Sequence, residues 1–245
     1  VGRFEFLLGV GSGGRLRNQL ALAVECAEKA RRCGIRAAFV KEIFVVAHAE
    51  ATHHLENTVG GWYDSDLTRR GREQANALAE RLEAWIGQRV VEIYSSDLRR
   101  ASQTASAISK RLGQPVLETA ALREISYGVA GGKPQEWLDA RYSPAPDDNR
   151  LDHDCGIEGA ETRRDVATRV YPLVDELVLR PCETQIIVTH GFTLSMVLAA
   201  WLKIPIDGAG FVTFPVSKAS ITHLRQDDFF RNRSVRILGD TAHLR

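Results

Sequence analysis

Along this chain, short apolar runs alternate with longer stretches in which apolar residues recur every three to four positions. Residues 35–40, 43–46 and 185–189 are apolar runs bounded by polar residues, the pattern of strands buried on both faces of a parallel sheet. Residues 3–9 and 90–94 also read as strands. Between them the period lengthens to that of a helix. Leu20, Ala23, Val24 and Ala27 share one face within residues 16–33, and Ala75, Leu78, Ala79, Leu82 and Ile86 share another, with Thr68 as the expected N-cap. Leu98, Ala101, Ala105, Ile108 and Leu112 form a third stripe ending before Gly113. Val166, Val170, Leu173, Val174 and Leu177 mark a long helix with an expected kink at Pro172. A further apolar helix follows His190 and Gly191 and ends near Leu202, while residues 143–154, rich in Pro, Asp and Asn, read as a surface loop.

Repeated strand–helix units predict an α/β protein, a three-layer sandwich with a mostly parallel central sheet flanked by helices. Two parts are expected. Residues 1–42 are expected to form an N-terminal βαβ-like extension with a Gly-rich loop, packed on the main domain of residues 43–245.

Charge narrows the partners. With 32 basic and 31 acidic residues the net charge is +1, which gives no general attraction for nucleic acid or an anionic membrane; any anion site must be local. No apolar run approaches the ~20 residues of a bilayer span, and the first residues lack the order of a signal peptide, so a cytoplasmic protein is expected. Cys26, Cys33, Cys155 and Cys182 show no C-x-x-C pairing, which predicts free thiols rather than a zinc site or disulfide framework.

In such a sheet, ligands bind beyond the carboxyl ends of the strands. His48 follows one strand, Arg100 lies in the first turn of the helix after another, and His190 closes a third, so the three should meet at one rim. Glu124 can project from a loop at the same place. Two imidazoles, a guanidinium and a carboxyl group suit phosphoryl transfer without a metal or cofactor: one imidazole attacks phosphorus, the cation and second imidazole hold its oxygens, and the acid protonates the leaving alkoxide.

At these positions the chain resembles the histidine phosphatase superfamily, of phosphoglycerate mutase-like fold. VVAHAEATHH (residues 45–54) is similar to the R-H-G-x-T signature with its trailing Asn, and GGWYDSDLTRRGREQA (60–75) to the segment after it. SSDLRRASQTA (95–105), LREISYG (122–128), VTHG (188–191), GAETRRDVATRVYP (159–172) and GDTAHL (239–244) match in the same order. The resemblance implies a phosphatase acting on a small phosphate ester. It makes His48 the nucleophile, Glu124 the general acid and then base, and Arg100 and His190 the phosphate clamp, with Ala47, His54 and Gly191 at substrate-binding positions. It also implies no cofactor and no metal, and a homo-oligomer is compatible with it.

The chain departs from the signature at Ala47, where the family has a phosphate-binding arginine, at Ala49, where it has glycine, and at His54, where it has asparagine. Either an alanine was introduced into an active enzyme, or this chain has changed its chemistry. A mutase differs from a phosphatase in excluding water; only 35 positions separate Glu124 from Gly159, which favours an open, water-accessible site whose mouth Tyr127, Trp137 and Tyr142 can line. GVGSGG (9–14) matches a dinucleotide-binding loop, but a single βαβ unit is too little for that fold, and an extra layer on the sheet is the preferred reading. A metal hydrolase built on His48, His53, His54 and His153 lacks a recognised ligand spacing, and His53 and His54 are expected on an exposed loop.

Overall fold

The computed structural model describes residues 40–245. The elements expected between residues 1 and 39, the glycine loop at 9–14 included, lie outside the described residues.

One six-stranded sheet organises this part of the chain. Its strands are β1 (Lys41–Ala47), β2 (Val91–Ser96), β3 (Val116–Thr119), β4 (Thr184–Thr189), β5 (Ile221–Gln226) and β6 (Arg233–Asp240). They lie in the order β3-β2-β4-β1-β5-β6. The first four in sequence run parallel, while β5 and β6 are antiparallel to their neighbours. The helices are α1 (Thr52–Leu55), α2 (Arg69–Ile86), α3 (Arg99–Leu112), α4 (Gln135–Asp139), α5 (Arg163–Leu179) and α6 (Gly191–Trp201).

The three layers follow from the two-residue period of β1. Ile43 and Val45 point into a core shared with Val166, Val170 and Val174 of α5 and Leu194 and Trp201 of α6. Phe44 and Val46 point the other way, onto Leu78 and Leu82 of α2 and Ala101 and Ile108 of α3. Burying each large aliphatic side chain contributes about 1.5–3 kcal/mol, so the strand that leads to His48 is clamped from both faces. Thr68 caps α2 as expected, its hydroxyl accepting the Gly71 N–H at 2.9 Å. α5 runs unbroken through Pro172. At its end the buried Lys41 ammonium donates to the carbonyls of Leu177, Arg180 and Cys182, satisfying acceptors the last helical turn leaves free. Among the described residues, no helix is long and apolar enough to cross a membrane.

The β5–β6 hairpin was not among the expected elements. Two register irregularities between Ile221 and Leu224 interrupt its pairing, and β6 is a half-exposed edge, so neither strand shows a clean alternation. The segment between Glu124 and α5 is more than loop: Ala130, Leu138 and Ile157 pack with Val59 as a separate apolar cluster. That small cap faces the carboxyl end of the sheet.

Candidate active site

Each parallel strand delivers one group to the same edge. β1 ends at Ala47, and the next residue is fixed by its backbone: the His48 N–H donates to Thr189 O at 2.9 Å, and the His48 carbonyl accepts from Ala219 N at 3.1 Å. His48 Nδ1 lies 2.8 Å from Ala49 O, an acceptor only, so Nδ1 carries the ring proton and Nε2 keeps its lone pair. The Arg100 Nε–H points at that lone pair from 3.3 Å. Burial, then the Arg100 charge, holds the His48 imidazole well below its ordinary pKa. The ring is therefore neutral at physiological pH.

Arg100 is 1% exposed. Its guanidinium donates to Gly61 O at 2.6 Å and Tyr63 O at 2.9 Å, so the loop after α1 aims it at His48. Gly61 has φ +56°, and a Cβ there would lie 2.9 Å from Ile125 O, which explains a glycine at this turn. Burial brings the Arg100 pKa down to about 10, still charged at neutral pH.

His190 sits one layer below rather than at the rim. It is completely buried and does not line the cleft, yet its ring centroid is 5.0 Å from that of His48. Nε2 is 2.9 Å from Ser96 Oγ, and Nδ1 has no hydrogen-bond partner among the described residues. Ser96 Oγ also accepts the Leu98 N–H at 3.3 Å. Burial, then Arg100, depresses the His190 pKa far below its ordinary value.

Glu124 follows the 3-10 turn Ala120–Leu122 and reaches the N-terminus of α6. Its Oε1 accepts from Thr193 N at 3.1 Å and its Oε2 from Phe192 N at 3.2 Å. The backbone of the acid is tied down as well: Glu124 O accepts from Trp62 Nε1 at 2.7 Å and Arg169 Nη2 at 3.0 Å. Arg169 also pairs with Glu161, whose Oε2 accepts the Ser126 N–H at 2.8 Å.

A cleft of about 480 Å³, open to solvent, joins these elements; Ala47, His48, His54, Arg100, Glu124 and Gly191 all line it. His53 and His54 correct an expectation. They lie not on an exposed loop but on α1 and at His48: His53 is 8% exposed with Nδ1 2.7 Å from Ser65 Oγ, and the His54 ring stacks on His48 at 5.6 Å. His54 Nδ1 accepts the Ala51 N–H at 3.0 Å. Burial and the neighbouring His54 take His53 down to about 3, and burial and Lys218 take His54 down to about 4. Of the expected mouth aromatics, Tyr127 lines the cleft; Trp137 packs against the cap cluster and Tyr142 is exposed, neither on the lining. His153 is spent locally, accepting the Cys155 N–H at 3.0 Å. Among the described residues no group of three His, Cys, Asp or Glu side chains is arranged to hold a metal ion.

Sequence reasoning missed Lys218, a cation on the cleft wall, and the Glu161–Arg169 brace behind the acid. Only the fold reveals the first; the second lay within a segment noted for its resemblance, without an assigned task.

Comparison with known proteins agrees with this geometry. The profile of the histidine phosphatase superfamily (branch 1) matches residues 43–235. Glucosyl-3-phosphoglycerate phosphatase of Mycolicibacterium vanbaalenii is 35% identical over 176 residues, 69% of this chain and 77% of that protein. The solved mycobacterial glucosyl-3-phosphoglycerate phosphatase with VO3 superposes with a TM-score of 0.69 at 30% identity, covering 82% of this chain and 100% of that one. "Probable phosphoglycerate mutase GpmB" of Yersinia pestis is 27% identical over 210 residues, 83% of this chain and 94% of that protein. The chain belongs to the histidine phosphatase superfamily, branch 1, whose phosphatases of small phosphorylated metabolites are among its relatives.

Proposed function

We propose that this protein is a metal-independent phosphomonoesterase that hydrolyses a small phosphorylated metabolite through a phosphohistidine on His48. The observation that carries the reading is the state of His48: neutral, its Nδ1–H held by Ala49 O, its Nε2 lone pair beside a buried guanidinium. Nε2 attacks phosphorus and the ester P–O bond breaks. Arg100 takes up charge on the phosphoryl oxygens, the buried His190 ring backs the His48 imidazole with 5.0 Å between centroids, and the Glu124 carboxyl group gives its proton to the departing oxygen. The carboxylate then removes a proton from water, whose oxygen attacks phosphorus; the N–P bond breaks and inorganic phosphate leaves. Because the cleft opens to solvent, water is the acceptor of choice over a second hydroxyl, which favours hydrolysis over a mutase reaction. The names of the relatives point to phosphorylated glycerate derivatives as the first substrates to try.

The test is a screen of phosphomonoesters with EDTA present. Turnover is expected to persist, and rapid quenching to trap an acid-labile, alkali-stable phosphoryl group that His48→Ala abolishes. Glu124→Gln should slow alkyl phosphates by roughly 10²–10⁴ while largely sparing aryl phosphates, which leave without a proton. Loss of activity on chelation, or a label that survives His48→Ala, overturns the proposal.

A further inference from the structure

A phosphate monoester carries close to two negative charges near neutral pH, yet the groups closest to His48 supply only one positive charge. Arg100 is that one, and three of its N–H groups are committed: to His48 Nε2, Tyr63 O and Gly61 O. His48, His53, His54 and His190 are all held neutral by burial. Position 47, next to the nucleophile, offers a methyl group. Among the residues lining the cleft there is one more cation, Lys218.

Its position is built rather than incidental. The segment before β5 crosses the end of β1: Ala47 N–H donates to Ser220 O at 3.3 Å, and Ala219 N–H to the His48 carbonyl at 3.1 Å. Between these contacts the chain makes a tight turn in which Ser220 N–H donates to Ser217 O at 3.2 Å. Ala219 takes φ 54° although it is not glycine, a left-handed conformation maintained against its steric cost. Its carbonyl is held in turn by His243 Nε2 at 2.9 Å. The strained turn places Lys218 on the wall of the cleft that Ala47 and His54 also line, exposed, without a hydrogen bond or ion pair to any described residue. A lysine presented by an anchored turn, with its ammonium uncommitted, is available to an anion.

We infer that Lys218 is a phosphate-binding residue of this enzyme, supplying the second positive charge to the phosphoryl group across from Arg100, in the place that Ala47 leaves empty. The inference rests on the phosphatase reading above. Its electrostatic influence on His54 is consistent with this place, since the Lys218 charge is the largest contribution after burial to keeping that imidazole unprotonated.

The experiment measures binding apart from turnover. Inorganic phosphate and vanadate are titrated calorimetrically into the unmutated protein, Lys218→Ala and Lys218→Arg, and kcat/KM is compared for two esters, one with a carboxylate on its leaving group and one with an uncharged leaving group. Lys218→Ala is expected to weaken phosphate roughly 10- to 100-fold, the range of one charge-assisted hydrogen bond, to slow both esters alike, and Lys218→Arg to restore most of both. Because Lys218 is exposed, an unchanged melting temperature should confirm folding. Unaltered phosphate binding in Lys218→Ala, with a loss confined to the carboxylated ester, overturns the inference and leaves the phosphatase intact. No binding of phosphate or vanadate by the unmutated protein overturns both.

Discussion

Ala47 puts a methyl group on the wall of the cleft beside His48, the residue on which the proposed phosphohistidine would form. An arginine here would bring a planar fork that matches two phosphoryl oxygens, and its pull would grow as charge redistributes in the transition state. Ala47→Arg is therefore expected to raise kcat more than it lowers KM. A single preorganised donor is worth roughly 10²–10³ in rate, and with Lys218 already supplying charge the gain should lie near the lower figure. Steady-state kinetics on the best ester decides it; unchanged kcat would mean the site is remodelled around alanine. At this scale the sequence was most legible where chemistry sits next to a strand end. His48, Arg100 and Glu124 needed only strand order and the matching motifs to be placed on one cleft, whereas His190, expected at the same rim, lies buried beneath it. Lys218 was not legible in this way, because its neighbour in space is set by the antiparallel pairing of Val46 with Ile221, which the sequence did not announce. The burial of His53 likewise depends on Ser65, twelve positions away.

Among the helices, α2 shows how a local preference is overruled by packing. Gly71 lies in its first turn, where alanine would ordinarily favour the helix by up to ~1 kcal/mol. A Cβ there, however, would overlap the carbonyl oxygen of Glu50, two residues past His48, which accepts the Thr68 N–H at 3.0 Å. Forcing that contact apart costs about 1–3 kcal/mol, so packing wins. Gly71→Ala should lower stability in urea titration by about 1–2 kcal/mol and also lower kcat, since the displaced strand end carries the nucleophile. A gain in stability would show that the Glu50 backbone yields freely. Helical stripes such as those of α2, α3 and α5 were readable because each has one apolar face; β5 and β6 were not, since an irregular register and an exposed edge erase the alternation that marks a strand. The cap after Glu124 was not anticipated, because its apolar cluster draws Val59 from far upstream.

Four imidazoles kept neutral in one place give the whole molecule a dependence on pH. An unfolded chain takes up protons on these side chains near pH 6.5, while in the fold His53 and His54 resist protonation down to about 3 and 4. Between those limits the unfolded state binds more protons, so stability rises with pH; it is fully present above about 6.5 and is lost progressively as pH falls toward 4. The melting temperature should accordingly drop between pH 7.5 and pH 5. His54→Asn should flatten that drop, because an amide oxygen can accept the Ala51 N–H without ever taking a proton. An equally steep decline in His54→Asn would place the effect in other groups.

The strand order has a consequence for how this enzyme comes into being. β1 leads to His48, yet both strands that flank it, β4 and β5, come from the far end of the described chain. During vectorial synthesis His48 is among the first residues of the cleft made, but the residues of its backbone contacts, Thr189 and Ala219, are among the last. Activity is thus acquired late: a nascent or prematurely terminated chain ending before β4 has no partly working site, only an unpaired apolar strand β1 in need of protection from its neighbours.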